Sequence, residues 1–193
     1  DDFGRWIVDG LNMEKVASEV RVSTGETSPF AFIIVTPDGK RTVLWTRGTA
    51  PYLVPEEILP EVILSGRVLI LDDIEIVAGT RAAAMAREAG ITVILDASTP
   101  RAGIEKLIEL TDEVVMAEKF PFRLTGERDF RQSLRAILKR GPTKVTVTLG
   151  EKGALYMDAD SWIEQPAFAV NTVDTTGAGD VFHGAYTYGR LQD

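Results

Sequence analysis

The residues best suited to chemistry lie in one heptad near the carboxyl end of the sequence, Asp174-Thr175-Thr176-Gly177-Ala178-Gly179-Asp180. The residues after it follow a helical pattern, so small residues stand where a helix begins. Backbone N–H groups at such a point converge on an anion, and the helix dipole adds to the attraction. A carboxylate directly behind them can accept the proton of a hydroxyl that attacks the same anion. These are the requirements of phosphoryl transfer.

Within the heptad, Asp180 is predicted to be the general base. Gly177, Ala178 and Gly179 are predicted to supply the anion hole, because N–H groups at a helix start have no earlier helical carbonyl to bond. The alternative is a tight turn that needs small residues, followed by an ordinary acidic residue in the first helical turn. The helix after the heptad is expected to bury an apolar stripe and to leave Asp180 on another face. That stripe consists of Val181, Gly184, Ala185 and Tyr188.

The elements that must position the heptad follow an alternating order. The short apolar run at 68–71 is typical of a parallel strand buried on both faces, and further strands are expected at 91–95 and 145–148. Helical patterns at 78–89 and 130–138 lie between them, which predicts an α/β fold with an open parallel sheet and helices on both faces. Earlier in the chain, apolar segments flank Pro37-Asp38-Gly39, whose residue types favour a tight turn and hence a β-hairpin.

Composition excludes several classes of function. The chain has 193 residues, of which 45% are hydrophobic and 26% charged, as in a globular domain. Its net charge of -8 argues against nucleic acid or an anionic membrane as a partner. With no cysteine and one histidine, thiolate and multi-histidine metal sites are excluded. No signal peptide and no apolar run of bilayer length is present, so a cytoplasmic location is expected.

The heptad resembles the C-terminal signature of the ribokinase-like (phosphofructokinase-B type) carbohydrate kinases. The resemblance also takes in the segment from Val147 to Ala154, the tripeptide Ile94-Leu95-Asp96 and the hairpin segment 37–42. It implies a three-layer α/β/α fold with a mainly parallel sheet and a small β-lid. The resemblance further implies that residues 1–193 form a single domain, with the lid inserted at about 20–48. It also implies that the missing N- and C-terminal segments of the family would complete the enzyme.

The same resemblance assigns further site residues. Thr148, Gly150 and Gly153 are similar to a nucleotide-side loop, although a plain β-turn explains the same glycines. Asp174 and Thr176 either form local turn and N-cap bonds or hold a monovalent cation such as K⁺, with Thr176 also on the nucleotide side. Glu118 is expected to organise Mg²⁺. Here the family's Asn-x-x-Glu motif is replaced by Ala117-Glu118-Lys119-Phe120, which weakens that assignment.

The function implied by the resemblance is ATP-dependent phosphorylation of a hydroxyl on a small sugar. A nucleoside or sugar-phosphate kinase of the same fold is one alternative, because the absent N-terminal segment normally selects the acceptor. The other alternative is a non-catalytic nucleotide-binding fragment that dimerises through the β-lid. The expected partners are therefore ATP, a small sugar and a second copy of the chain.

Overall fold

The computed structural model describes residues 1–36 and 41–192. They form two compact units, one of residues 1–36, 41–52 and 171–176, the other of residues 53–170 and 177–192. The first unit contains α1 (Asp2–Met13), β1 (Phe30–Val35) and β2 (Arg41–Thr46). The second contains α2 (Pro60–Ile63), β3 (Val68–Asp72), α3 (Ile76–Glu88), β4 (Thr92–Ala97), α4 (Ile104–Glu109), β5 (Glu113–Ala117), α5 (Phe120–Thr125), α6 (Phe130–Leu138), β6 (Lys144–Thr148), β7 (Ala154–Met157), β8 (Trp162–Gln165) and α7 (Ala178–Arg190).

The second unit is built on a six-stranded sheet in which sequence order equals spatial order, β3-β4-β5-β6-β7-β8. The first four strands are parallel, and each parallel step is bridged by helical crossovers. β7 and β8 then add antiparallel strands at one edge. Because four neighbouring strands run the same way, their carboxyl ends meet along one edge, which we call the carboxyl edge.

The core of this unit lies between the sheet and its helices. β-branched and aliphatic side chains are buried on both faces of the central strands, as expected for parallel strands covered by helices. α3 packs with an alanine-rich face, and Gly90 ends it with a φ of 73°, in the left-handed region that favours glycine. The fully buried apolar strand residues are Val93, Ile94, Leu95, Ala97, Val114, Val115, Met116, Val145 and Val147.

The first unit consists of a helix and a two-stranded antiparallel sheet. β1 and β2 pair in register from Phe30 opposite Thr46 to Val35 opposite Arg41, which confirms the predicted hairpin pairing. The turn predicted at Pro37-Asp38-Gly39 lies outside the described residues. Both strands are almost fully exposed, including large apolar side chains that a two-stranded sheet cannot bury by itself.

The α/β fold with a mostly parallel sheet flanked by helices is thereby confirmed. The strands predicted at 68–71, 91–95 and 145–148 and the helices predicted at 78–89 and 130–138 are present within a few residues of the expected bounds. β5, β7 and β8 were not predicted: β7 and β8 have only four residues each, too few for a periodic pattern, and β5 begins with a charged residue, Glu113. The organisation as one domain with an insertion stays a prediction.

Gly153 in the loop between β6 and β7 is required by steric constraint. Its φ is 100°, and a Cβ at this position would lie 1.9 Å from the carbonyl oxygen of Gln165. Gly150, three residues earlier, also has a positive φ of 60° but faces open space. The close approach of the backbone therefore explains Gly153 without a ligand, while Gly150 owes its residue type to conformation alone.

We expect Gly153→Ala to lower the free energy of unfolding by about 3 kcal/mol or more, because backbone atoms cannot move aside. Gly150→Ala is the matched control, with an expected loss of about 1–2 kcal/mol from left-handed backbone strain alone. Chemical denaturation of both variants measures the difference. Equal losses would contradict the assignment of Gly153 to a steric role.

Candidate functional site

Polar residues collect at the carboxyl edge of the parallel strands. Asp96 lies near the end of β4, Glu118 directly after β5, and Thr148 at the end of β6. The register pairs Ala117 with Thr148, so the segments that follow β5 and β6 leave the sheet side by side. Ligands of open α/β sheets bind outside the carboxyl ends of the strands, which makes this edge the place to look for a site.

The start of α7 presents uncommitted backbone donors. Gly177 is the N-cap residue, with φ 76° and no side-chain capping bond, and its carbonyl accepts the first helical bond from the N–H of Val181 at 2.9 Å. Among the described residues, the N–H groups of Gly177, Ala178 and Gly179 have no acceptor. Three neighbouring donors at the positive end of a helix form an anion-binding arrangement.

The fold explains why one of the two glycines of this turn is a glycine, but not the other. Gly177 needs its residue type because its φ is positive. Gly179 has no positive φ, and a Cβ there would meet nothing within 4 Å among the described residues. A glycine inside a helix costs about 1 kcal/mol relative to alanine, so the described fold gives no reason for it. Close approach of a ligand to the backbone does supply one.

Asp180 is exposed at the same turn. Its carboxylate makes no hydrogen bond or ion pair within the part of the chain that the structure describes. A side chain at Gly177 would lie 3.9 Å from its Oδ2, so the carboxylate is next to the turn that carries the free N–H groups. The side chain is thus neither buried nor locked in a salt bridge.

His183 fixes where this turn lies. One helical turn after Asp180, its Nε2 lies 3.1 Å from Oδ1 of Asp96. Asp96 belongs to β4 near the carboxyl edge, so the first half of α7 is held at that edge. The Nδ1 of His183 is buried without a hydrogen-bond partner among the described residues. His183 therefore acts in the contact between helix and sheet.

The predicted apolar stripe of α7 is wrong. Val181 is 72% and Tyr188 is 66% exposed, and Gly184 and Ala185 are exposed as well. The side of α7 that faces the sheet is mainly polar, because the sheet offers it charged partners, Asp96 and Glu113. The half-buried residues on that side are Phe182, His183, Tyr186, Thr187 and Arg190.

Glu113 is the main partner of the second half of α7. Its carboxylate, 2% exposed, accepts from the hydroxyl of Tyr186 at 2.6 Å and from Nε of Arg190 at 2.8 Å, and lies 3.3 Å from Nζ of Lys144. Burial, together with the bond to Glu113 and its charge, raises the pKa of Tyr186 well above its usual value. Tyr186 therefore stays protonated as a donor.

Asp174 and Thr176 form a local turn. Oδ1 of Asp174 accepts from the N–H of Thr176 at 2.8 Å and from its hydroxyl at 2.7 Å. These bonds, with the positive charge of Arg41, hold the pKa of Asp174 below its ordinary value. The predicted turn bonding is present, but neither side chain caps α7, because Gly177 is the N-cap. The cation role of this pair stays a prediction.

The loop after β6 carries the residues assigned to the nucleotide. The hydroxyl of Thr148 donates to the carbonyl of Met116 at 3.3 Å, so its proton is used within the sheet. Gly150 opens a 3₁₀ turn that ends at Lys152, whose Nζ lies 3.7 Å from Oε1 of Glu118. The loop and Glu118 are thus neighbours, and the nucleotide roles of Thr148, Gly150 and Gly153 stay predictions.

Glu118 is the one acidic residue that the resemblance assigns to Mg²⁺ at this edge. Phe120, at the motif position where relatives carry Glu, is fully buried in the core and supplies no ligand. Within residues 1–36 and 41–192, no group of three or more Asp, Glu or His side chains is placed to hold a metal ion. Mg²⁺ commonly keeps several waters and needs only one or two carboxylates, so Glu118 fits a water-mediated role.

Reasoning from the sequence missed the residues that hold α7. Asp96 was noticed only as part of a resemblance, and Glu113, Tyr186 and Arg190 were not singled out. A glutamate as the first residue of an apolar segment, Glu113-Val114-Val115-Met116, is a signal for a buried charge that needs partners. Its partners come from positions more than 30 residues away, which no local pattern shows.

The fold and the site together define an α/β protein in which a helix begins, with unbonded backbone N–H groups, at the carboxyl edge of the sheet. Comparison with known families agrees. The family described as pfkB family carbohydrate kinase matches residues 1–193, so the chain belongs to this family.

Individual relatives are similar at moderate identity. The chain is 28% identical over 204 residues to a deoxyribokinase of Salmonella typhi, covering 97% of this chain and 62% of the relative. It is 29% identical to fructokinase-2 of Oryza sativa subsp. japonica, covering 100% of this chain and 63% of the relative. The chain thus spans less than two thirds of their length.

Among solved structures, an E. coli protein in complex with ATP and Mg²⁺ has the same fold. Its TM-score is 0.83 at 21% identity, and the match covers 100% of this chain and 67% of that one. Among the described residues of the present chain, no helix is both long and apolar enough to span a bilayer.

The lowered pKa of Asp174 predicts how the stability contributed by its turn depends on pH. A folded-state pKa below the unfolded one means that the turn contributes stability above the ordinary Asp pKa of about 3.9. That contribution is lost as the pH falls through the lowered pKa. Thr176→Val removes the hydroxyl bond and is expected to raise the pKa of Asp174, as measured by NMR titration of its carboxyl carbon. Thr175→Val is the control, and equal pKa values in both variants would contradict the role of the hydroxyl.

Proposed function

We propose that the protein to which this chain belongs transfers the γ-phosphoryl group of ATP to a hydroxyl of a small sugar. The observation that carries the proposal is the start of α7, where three unbonded backbone donors and an unpaired carboxylate are adjacent. Membership of the pfkB family carbohydrate kinases supports the substrate class. The deoxyribokinase and fructokinase relatives make pentoses and hexoses the first acceptors to test.

In the proposed reaction, the carboxylate of Asp180 accepts the proton of the sugar hydroxyl as its oxygen forms a bond to the γ-phosphorus. The bond between that phosphorus and the β–γ bridging oxygen breaks, and ADP leaves with the electron pair. The N–H groups of Gly177, Ala178 and Gly179 stabilise the charge that develops on the moving group. Donors of this kind are each worth about 3–4 kcal/mol in the transition state.

Mg²⁺, when bound with ATP, neutralises charge on the phosphate oxygens. Glu118 is the residue we assign to its water shell, and Lys152 beside it is within reach of an anion at the same edge. Thr148 and Gly150 border the nucleotide in this proposal. Asp174 and Thr176 are assigned to a K⁺ site, for which their turn presents oxygen atoms.

The general-base role is tested with Asp180→Asn in the full-length protein. We expect kcat to fall about 10²- to 10⁴-fold, because the amide cannot accept the proton. ATP affinity is expected to change little, because the amide donors are backbone groups. ADP release with ribose, deoxyribose and fructose measures turnover, and calorimetry measures ATP binding. Asp160→Asn, an exposed change in the turn between β7 and β8, is the control.

Turnover of Asp180→Asn equal to that of Asp160→Asn would refute the assignment. Release of ADP only with adenosine or a sugar phosphate would establish the alternative acceptor class on the same fold. ATP binding without turnover for any acceptor would favour a nucleotide-binding protein without catalytic activity.

We infer that the hairpin of β1 and β2 mediates self-association. Its strands expose large apolar residues, among them Phe32 and Leu44, which are paired in the register. Two strands alone are marginal in water, so a second copy that covers them gains free energy. Self-association through this hairpin is also what the alternative of a non-catalytic, dimerising fragment requires.

We expect Leu44→Glu to weaken self-association, because it places a charge in the centre of the apolar surface. Val22→Glu is the control, since Val22 is also exposed, at 81% against 58% for Leu44, but lies outside the hairpin. Sedimentation equilibrium over a range of concentrations measures the association constant. A wild-type protein that stays monomeric throughout would rule out the proposed dimer.

A further inference from the structure

The geometry points to Glu113 and Asp96 as positioning residues that hold α7, and with it the Gly177–Asp180 turn, at the carboxyl edge of the sheet. This inference rests on the proposed function for its effect on turnover, but its structural content stands separately. Neither carboxylate contacts the reacting atoms in the proposal. They act through His183, Tyr186 and Arg190 on the helix.

α7 lacks the usual means of attachment among the described residues. None of its thirteen residues is fully buried; Val181 and Tyr188 face outward, and Phe182 is only half-buried. Glycines at three positions inside the helix weaken its intrinsic stability and offer no side chain to pack. Hydrophobic burial against the sheet therefore contributes little to fixing the helix in one place.

Glu113 supplies the first attachment. It is the first residue of β5, at the end of the sheet opposite the carboxyl edge. One carboxylate oxygen accepts from Tyr186 and the other from Arg190, so both oxygens bind the same helix one turn apart. Bonds from a buried carboxylate to two donors are directional and strong, and they specify both the rotation and the height of the helix.

Asp96 supplies the second attachment. In the sheet register Asp96 pairs with Val115, two residues beyond Glu113, which places it about 7 Å further towards the carboxyl edge. On the helix, His183 precedes Arg190 by seven residues, which is about 10 Å of rise. The helix therefore runs antiparallel to the strands, with its amino end at the carboxyl edge.

Because the two attachments lie at different positions along the axis of α7, the helix cannot shift along that axis without breaking both. A shift by one residue moves α7 by about 1.5 Å and turns it by about 100°, and this breaks the contacts of His183, Tyr186 and Arg190 together. The Gly177–Asp180 turn is continuous with the helix and moves with it. The two carboxylates thereby set the position of the free N–H groups and of Asp180.

The test uses Tyr186→Phe in the full-length protein, with Tyr188→Phe as the matched control. Both variants remove one phenol hydroxyl from the same helix, but only the hydroxyl of Tyr186 bonds Glu113. We expect Tyr186→Phe to lose amide hydrogen-exchange protection at residues 181–185, while β4 and β5 keep theirs. Tyr188→Phe is expected to match the wild type.

Turnover supplies the second readout. Displacing a reacting group by about 1 Å lowers the rate by up to 10²-fold. We therefore expect the kcat of Tyr186→Phe to fall about tenfold. The KM for ATP and for the sugar is expected to stay within a few-fold. Ile137→Val, a buried change in α6, lowers stability without touching α7, and its kcat at a temperature well below melting is expected to equal that of the wild type.

Each outcome decides the inference. Equal exchange and kinetics in Tyr186→Phe and Tyr188→Phe would overturn it, and so would an equal loss of kcat in Ile137→Val, because that reveals general destabilisation. If the wild type phosphorylates no acceptor, the proposed function fails, and the exchange data alone then decide whether Glu113 holds the helix. Loss of protection confined to α7 supports the inference in that case too.

Discussion

The candidate site depends on the buried carboxylate of Glu113, at the start of β5, and on the hydrogen bonds that this carboxylate accepts from α7. Removing a charge from water costs several kcal/mol unless partners compensate it. Glu113 has three such partners, Tyr186, Arg190 and Lys144, and two of them belong to α7. The free energy cost of burying the charge is thus offset only when the helix is in place, which links the position of the site to the stability of the sheet.

The start of α7 illustrates how a site departs from the preferences of a stable helix. Helix starts usually have a side-chain cap from Ser, Thr, Asp or Asn, but here Gly177 provides none. Gly179 weakens the first turn without relieving any steric conflict. The missing cap leaves N–H groups free for a ligand, and the missing side chain at Gly179 leaves their approach open, at a cost to local stability that directional bonds elsewhere on the helix offset.

The glycines in the two loops at the carboxyl edge have similar sequence contexts, but the fold explains their residue type in one loop and not in the other. Gly153 fits against the backbone of Gln165 and would be needed in any protein with this loop. Gly179 has open space around it, so no steric conflict among the described residues explains its residue type. The presence of a glycine in a motif is therefore weak evidence of binding until its surroundings are known.

Local patterns in the sequence determined the α/β class, the longer strands and helices, and the place where α7 begins, since these depend on residues close together in the chain. Periodicity and the small residues of 177–179 were sufficient for this. The face of α7 that contacts the sheet was predicted wrongly, because apolar spacing assumes a hydrophobic contact. Only the tertiary structure showed that Asp96 and Glu113 meet His183, Tyr186 and Arg190. Those partners are some 70 to 90 residues apart, and ionic bonds over such separations leave no periodic trace in the sequence.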